Sequence, residues 1–288
     1  MISYRHHVVS LVAVFLALAV GVVLGGGPLS ELGRADNAAS SGTSRATRTA
    51  QRTASFGDDF ASASARALYA GRLDNHLVSI VAMPGAKDGM VSGLSAQIRS
   101  AGGDVAGTYQ VQPVLVDPSQ KSLVDTLGSQ LMTQLGTKAV SRDASTYDRI
   151  GQLIGLAVSS SNEPADTAAS IRQSRAGAQI MNSPGEASRT GLVLVVLGDH
   201  ADEAILSGVL SGLAAKATGV VVAGDTRSGL AGGLKGLRAE PVADQVATVD
   251  GADAPLGQVT TVLALARSLD DPGGSFGASG SDGAVPLG

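Results

Sequence analysis

Between Val8 and Leu24 the chain carries seventeen consecutive residues without a charge, and Ser10 is the only polar side chain among them. A helix rises ~1.5 Å per residue, so this run reaches ~25 Å, and with Gly25-Gly26-Gly27 nearly the ~30 Å of a bilayer core. Val8, Leu11, Phe15, Leu18 and Leu24 fall within the expected transmembrane span. A cleaved secretory signal has a core of ~7–15 apolar residues and a small-x-small cleavage site. Here the core is longer and Gly25-Gly26-Gly27-Pro28 matches such a site poorly, which favours an uncleaved anchor. Arg5 precedes the span without an acid, whereas Glu31, Arg34 and Asp36 follow it. Basic flanks stay in the cytoplasm, so residues 28–288 are expected outside it. The absence of cysteine fits that placement, with no thiol to oxidise.

Beyond the anchor, residues 28–75 are rich in Ala, Ser, Thr and Arg, and the stretch from Asn37 to Ser44 reads as a flexible linker. Phe56, Phe60, Ala63, Ala67 and Ala70 then follow at 4, 3, 4 and 3 residues, the spacing of one helical seam. Two readings stand open there: a coiled-coil homodimer through residues 56–70, or a single helix packed on its own domain.

From Leu77 the pattern changes. Leu77 to Met83 reads as a buried strand. Met90, Val91, Leu94, Ile98 and Ala101 recur at helical spacing, and Val105, Gly107, Tyr109 and Val111 alternate as in a strand. Asp117-Pro118 has the chemistry of a helix start, with Leu123, Val124, Leu127, Leu131 and Leu135 as its apolar stripe. Tyr147, Ile150, Ile154 and Ala157 mark a helix, and Ala168, Ile171, Ala178 and Met181 a weaker one. Leu192 to Leu197 is a continuous apolar run, as in a strand buried on both faces. A helix over Ile205–Leu213, a strand at Gly219–Ala223, a Gly-rich helix around Leu230–Leu237 and a strand at Val246–Val249 follow. Pro255 opens the last helix, with Leu256, Val259, Leu263, Ala266 and Leu269 expected inward. Strands alternating with helices predict an α/β fold, a Rossmann-like or flavodoxin-like sandwich with a mainly parallel sheet. The expected organisation is a tail and anchor over 1–27, a linker and helical segment over 28–75, an extracytoplasmic α/β domain over 76–270, and a disordered Gly/Ser/Pro tail over 271–288.

In such folds ligands bind outside the carboxyl ends of the strands. Asp199, His200, Asp225 and Arg227 stand there as a candidate strand-end site. Asp199 and Asp225 also read as helix N-caps. Gly224-Asp-Thr-Arg-Ser-Gly229 has the glycine spacing of a phosphate loop, but Leu230-Ala231 replace the Lys and Ser/Thr that bind phosphate. No G-x-S-x-G surrounds a serine, so the reading is against catalysis and no cofactor is evident. Net charge is −4 with mixed signs and aromatics are 3%, which argues against nucleic-acid binding. For copper, thioether and imidazole are the relevant ligands. Met83, Met90, Met132, Met181, His76 and His200 form no Met-x-x-Met or His-x-His cluster, and His6-His7 adjoins the membrane edge.

The opening run Ile2-Ser-Tyr-Arg-His-His-Val-Val-Ser-Leu-Val-Ala-Val-Phe-Leu-Ala-Leu-Ala-Val-Gly-Val-Val-Leu-Gly25 resembles the start of the mycobacterial copper-transport protein B (MctB) family of actinobacteria. The stretch Val249 to Ala266 resembles that family's C-terminal helix. The resemblance implies copper efflux or resistance, with a copper ion as cargo, in a family described as outer-membrane. Within the same family, the SteB-type resemblance implies cell separation through cytoplasmic partners and regulators of cell-wall hydrolases. A transmembrane barrel needs many ~10-residue alternating segments and two aromatic girdles. Eight Phe and Tyr residues and no Trp do not supply those girdles.

Overall fold

The computed structural model describes residues 28–136, 140–159, 165–184, 188, 190–199 and 202–287. The expected span with Val8, Leu11, Phe15, Leu18 and Leu24 lies outside them, as does His200. Among the described residues no helix is long and apolar enough to cross a membrane. The chain divides into two compact units, Met1–Gly57 and Asp58–Gly288.

Helix α1 runs over Pro28–Tyr69, so the expected linker at 37–44 is helical instead. Across α1 as a whole alanine is frequent, and the helix meets no proline after Pro28, which sits at its first position. Then come β1 (Leu77–Ala82), α2 (Asp88–Ser100), β2 (Asp104–Val111), α3 (Lys121–Leu135), α4 (Thr146–Val158), α5 (Ala165–Gln173), α6 (Arg175–Ile180) and β3 (Met181–Asn182). The second half holds β4 (Leu192–Val196), α7 (Glu203–Ala214), β5 (Gly219–Ala223), α8 (Thr226–Ala231), α9 (Gly233–Leu237), β6 (Ala247–Val249), α10 (Pro255–Arg267) and β7 (Ser275–Phe276).

Among the described residues the strands form one seven-stranded sheet in the order β3-β2-β1-β4-β5-β6-β7. All neighbours pair in parallel except β2 with β3. The α/β expectation with a mainly parallel sheet therefore holds. Every residue of β4 and β5 is buried, as the apolar runs require of central parallel strands. Successive side chains point to opposite faces and feed two separate cores. Val193, Val195 and Val222 pack with Leu131, Ile150, Leu153, Val209 and Leu213 on one side. Leu192, Leu194, Val196 and Val221 pack with Tyr69, Leu94, Ile98, Val262 and Leu263 on the other. Helices α4 and α7 touch closely on the first side: a Cβ at Gly151 would collide with the Val209 carbonyl.

Three expectations need correction. The first concerns which face of α1 packs on its own domain, and it leaves the homodimer alternative untouched. Phe56 is 71% and Phe60 62% exposed, and Ala63, Ala67 and Ala70 are exposed as well. Within the second unit the helix packs by the opposite face, through Ala61, Ala65 and Tyr69. Tyr69 also donates its hydroxyl to Gln97 Oε1. Small alanines face that core, and a fully buried tyrosine anchors the helix at its end. The second is the tail, which is ordered: β7 pairs with β6 and buries Phe276. The chain then folds back, with Asp282 N–H donating to the Ser275 carbonyl and Gly277 N–H to the Ala284 carbonyl. Those bonds cover the outer edge of β7, which an open strand would leave unpaired. The third concerns stripe residues at helix surfaces: Leu256 is 48% and Leu123 41% exposed.

Candidate functional site

The carboxyl ends of β1, β4, β5 and β6 lie on one side of the sheet. The parallel strands β2, β1, β4, β5 and β6 have the doubly wound order in which direction of winding reverses between β1 and β4. A ligand crevice is expected at that reversal. Here it is filled by backbone. Gly198, just after β4, lies against the Pro84 carbonyl just after β1, and any Cβ at Gly198 would collide with it.

Beside this contact Lys87, the residue before α2, reaches across the strand ends. Its Nζ donates to Asp225 Oδ2 at 3.0 Å and stands 3.9 Å from Asp199 Oδ1. The structure thus brings Asp199 and Asp225 together through a lysine that the sequence reading did not single out. Asp225 caps α8 as expected, accepting from Ser228 N–H at 2.8 Å. Asp199 is not a cap. Asp202 takes that role for α7, accepting from Ala204 and Ile205 N–H, each at 3.1 Å. Asp253, in the turn between β6 and α10, accepts from Thr226 N–H at 3.0 Å and from its hydroxyl at 3.2 Å. Arg227 is exposed on α8 and adds its charge to the surroundings of Asp225.

The electrostatics follow. Burial pushes the Asp225 carboxyl up, but the Lys87 ammonium, the Ser228 N–H and the Arg227 charge outweigh it and hold the pKa below 3.8. Asp225, by hydrogen bond and charge, raises Lys87 above its ordinary value, with Asp199 and Asp253 adding to it. Chemically the cluster is a cation bridging carboxylates from separate strands. Its polar atoms are spent on each other and on helix ends.

A second polar cluster lies deeper. Arg238 Nη2 meets Asp250 Oδ1 at 2.9 Å, with the two side chains 11% and 0% exposed. Arg238 also donates to Thr248 Oγ1 at 3.0 Å, Ser279 Oγ at 2.8 Å and the Phe276 carbonyl at 2.8 Å. Ser279 N–H donates to Asp250 as well. This pair ties the C-terminal segment to β6. Nothing local in the sequence pairs Arg238 with Asp250, and only their coexistence near buried strands hinted at a partner.

Open grooves occur at the opposite, amino ends of the strands. One of about 380 Å³ is lined by Arg72, Leu269 and Asp270, and one of about 310 Å³ by His76, Thr190 and Thr218. The sulfur candidates do not converge on either. Met83 and Met181 are buried in the core on one side of the sheet and Met90 in the core on the other. Met132 is half-buried against the first of these. Among the described residues no group of three or more His, Asp or Glu side chains is placed to hold a metal ion.

Comparison with known proteins settles the family. The family model described as "Copper transport outer membrane protein, MctB" matches residues 1–287. A protein of Mycobacterium tuberculosis named "Copper transporter MctB" is 31% identical, with 92% of each chain covered. The Mycobacterium bovis protein of that name has the same identity and coverage. The Mycobacterium leprae protein so named is 29% identical, again with 92% of each chain covered. The resemblance carried by the opening residues therefore extends over the α/β domain and the ordered tail, and the chain belongs to the MctB family.

Proposed function

We propose that this chain is a membrane-tethered envelope protein serving copper homeostasis, and that it does so without forming the conducting path itself. The match over residues 1–287 to a family described by copper transport carries the reading. That match includes the apolar run Val8–Leu24, the segment suited to a tether. One apolar helix anchors a domain but encloses no channel, and the α/β domain buries Met83, Met90 and Met181 in its cores, with Met132 half-buried against one of them. The role is then assistance to copper export by contact with other envelope proteins. The test is copper sensitivity of a deletion strain, complemented by the full chain or by one lacking residues 1–27. Heightened sensitivity rescued only by the tethered chain supports the proposal. Unchanged sensitivity on deletion overturns it.

A second reading has its own support in the exposed Phe56 and Phe60 of α1. Two phenylalanines on a solvent-facing helix suit a partner helix, as in a scaffold for regulators of cell-wall hydrolases. Photo-crosslinking from position 56 in cells tests it. A trapped partner and a cell-separation defect on deletion support the scaffold, whereas no crosslink and normal separation rule it out.

A further inference from the structure

Within its first unit, α1 carries a charged row that neither reading uses. Arg45, Arg48 and Arg52 follow at three and four residues, and Phe56 comes four later. At ~100° per residue these side chains share one helix face, and all four residues are exposed. From Asn37 to Gly57 there is no Asp or Glu.

We propose that this face lies along the bilayer surface and binds the phosphate headgroups of anionic lipids. The inference rests on the tether reading. The apolar run ends at Leu24, three glycines follow, and α1 starts at Pro28. Standing upright, α1 would lift Arg45 ~26 Å above its own first residue, well past the ~8 Å over which charges act at physiological salt. Lying flat, it keeps all three guanidinium groups within that range. Guanidinium groups pair with phosphate oxygens in a fork, and Phe56 offers an apolar side chain for the headgroup/acyl boundary. A protein helix fits the row less well. Thr49 stands among the arginines, with no aliphatic side chain on that face to pack into a partner.

The chain has no cysteine, so single cysteines report each face. Full-length Thr49→Cys places a thiol among the arginines, and Ala54→Cys places one on the opposite face. Each is put into nanodiscs of phosphatidylcholine alone or with about 30% phosphatidylglycerol, and modification by a water-soluble maleimide is timed. Three arginines near an anionic surface together favour the docked state by about a hundredfold. The expected result is at least tenfold slower modification of Thr49→Cys in the anionic discs, with Ala54→Cys unchanged. Adding Arg45→Glu and Arg52→Glu is expected to abolish the difference. Equal modification in both lipids overturns the proposal, and so does slow modification in both, which signals cover by protein. If alkaline carbonate strips the full chain from cell membranes, the tether reading itself fails and this proposal with it.

Discussion

Arg238 and Asp250 meet at 2.9 Å with side chains only 11% and 0% exposed, and both also hold the C-terminal segment through Ser279. Removing one member leaves the other charged and buried. Asp250→Ala is therefore expected to cost about 3–5 kcal/mol. Replacing both, as Arg238→Met with Asp250→Ala, is expected to cost less than the two single changes summed. Urea unfolding of the four proteins measures the coupling.

Asp225 makes stability depend on pH in a definite direction. Its pKa is lower in the folded chain than the ordinary 3.8. The folded state thus binds fewer protons near that value, and the contribution is complete above it. It is lost as pH falls through the folded pKa. Lys87→Met removes a main cause of the depression, so acid unfolding of that variant is expected to begin at higher pH than in the parent. Melting temperatures from pH 2 to pH 6 test this.

Asp58 on α1 accepts from Leu256 N–H at 3.3 Å, 198 residues away. The residue before α10, Ala254, provides no side-chain cap, so Asp58 does the capping from another element. Asp58→Ala is expected to destabilise by about 1 kcal/mol, in the range for a lost cap. Asp58→Asn retains the acceptor and is expected to lose less. Chemical denaturation resolves the two.

Gly151→Ala reverses the usual benefit of that change in a helix. The new methyl would meet the Val209 carbonyl where α4 and α7 touch. Forcing a packed pair apart costs typically ~1–3 kcal/mol, against a gain of ~1 kcal/mol at most from helix propensity. A lowered midpoint in thermal unfolding is the expected outcome.

The sheet was legible wherever the side chains alone decide burial. Leu192 to Val196 is apolar at every position and lies in the centre of the sheet. Pro255 opens α10 and Asp225 caps α8, because both signals act within one helical turn. Misreadings arose where two local solutions compete or where the partner is remote. Asp199 and Asp202 both precede α7, and only the backbone geometry chooses Asp202. On α1 the face that packs on the domain is built from small Ala61 and Ala65 and marked only by Tyr69 near its end, while the larger Phe56 and Phe60 stay exposed. The tail has the composition of a disordered segment, yet its bonds go to residues up to 41 positions away. Lys87 was overlooked for the same reason, since its partner Asp225 lies 138 residues on.

The fold-back after β7 has a consequence for the order of events during synthesis. Residues 275–284 close the outer edge of the sheet, and residues 276–279 supply partners to the buried arginine. They leave the ribosome after the other described strands of the sheet. Until they emerge, β6 is an open edge and Arg238 lacks half its ligands. The sheet therefore closes only once residues 275–284 have been made and folded back, and a nascent chain stalled before them presents a templating strand edge to its neighbours.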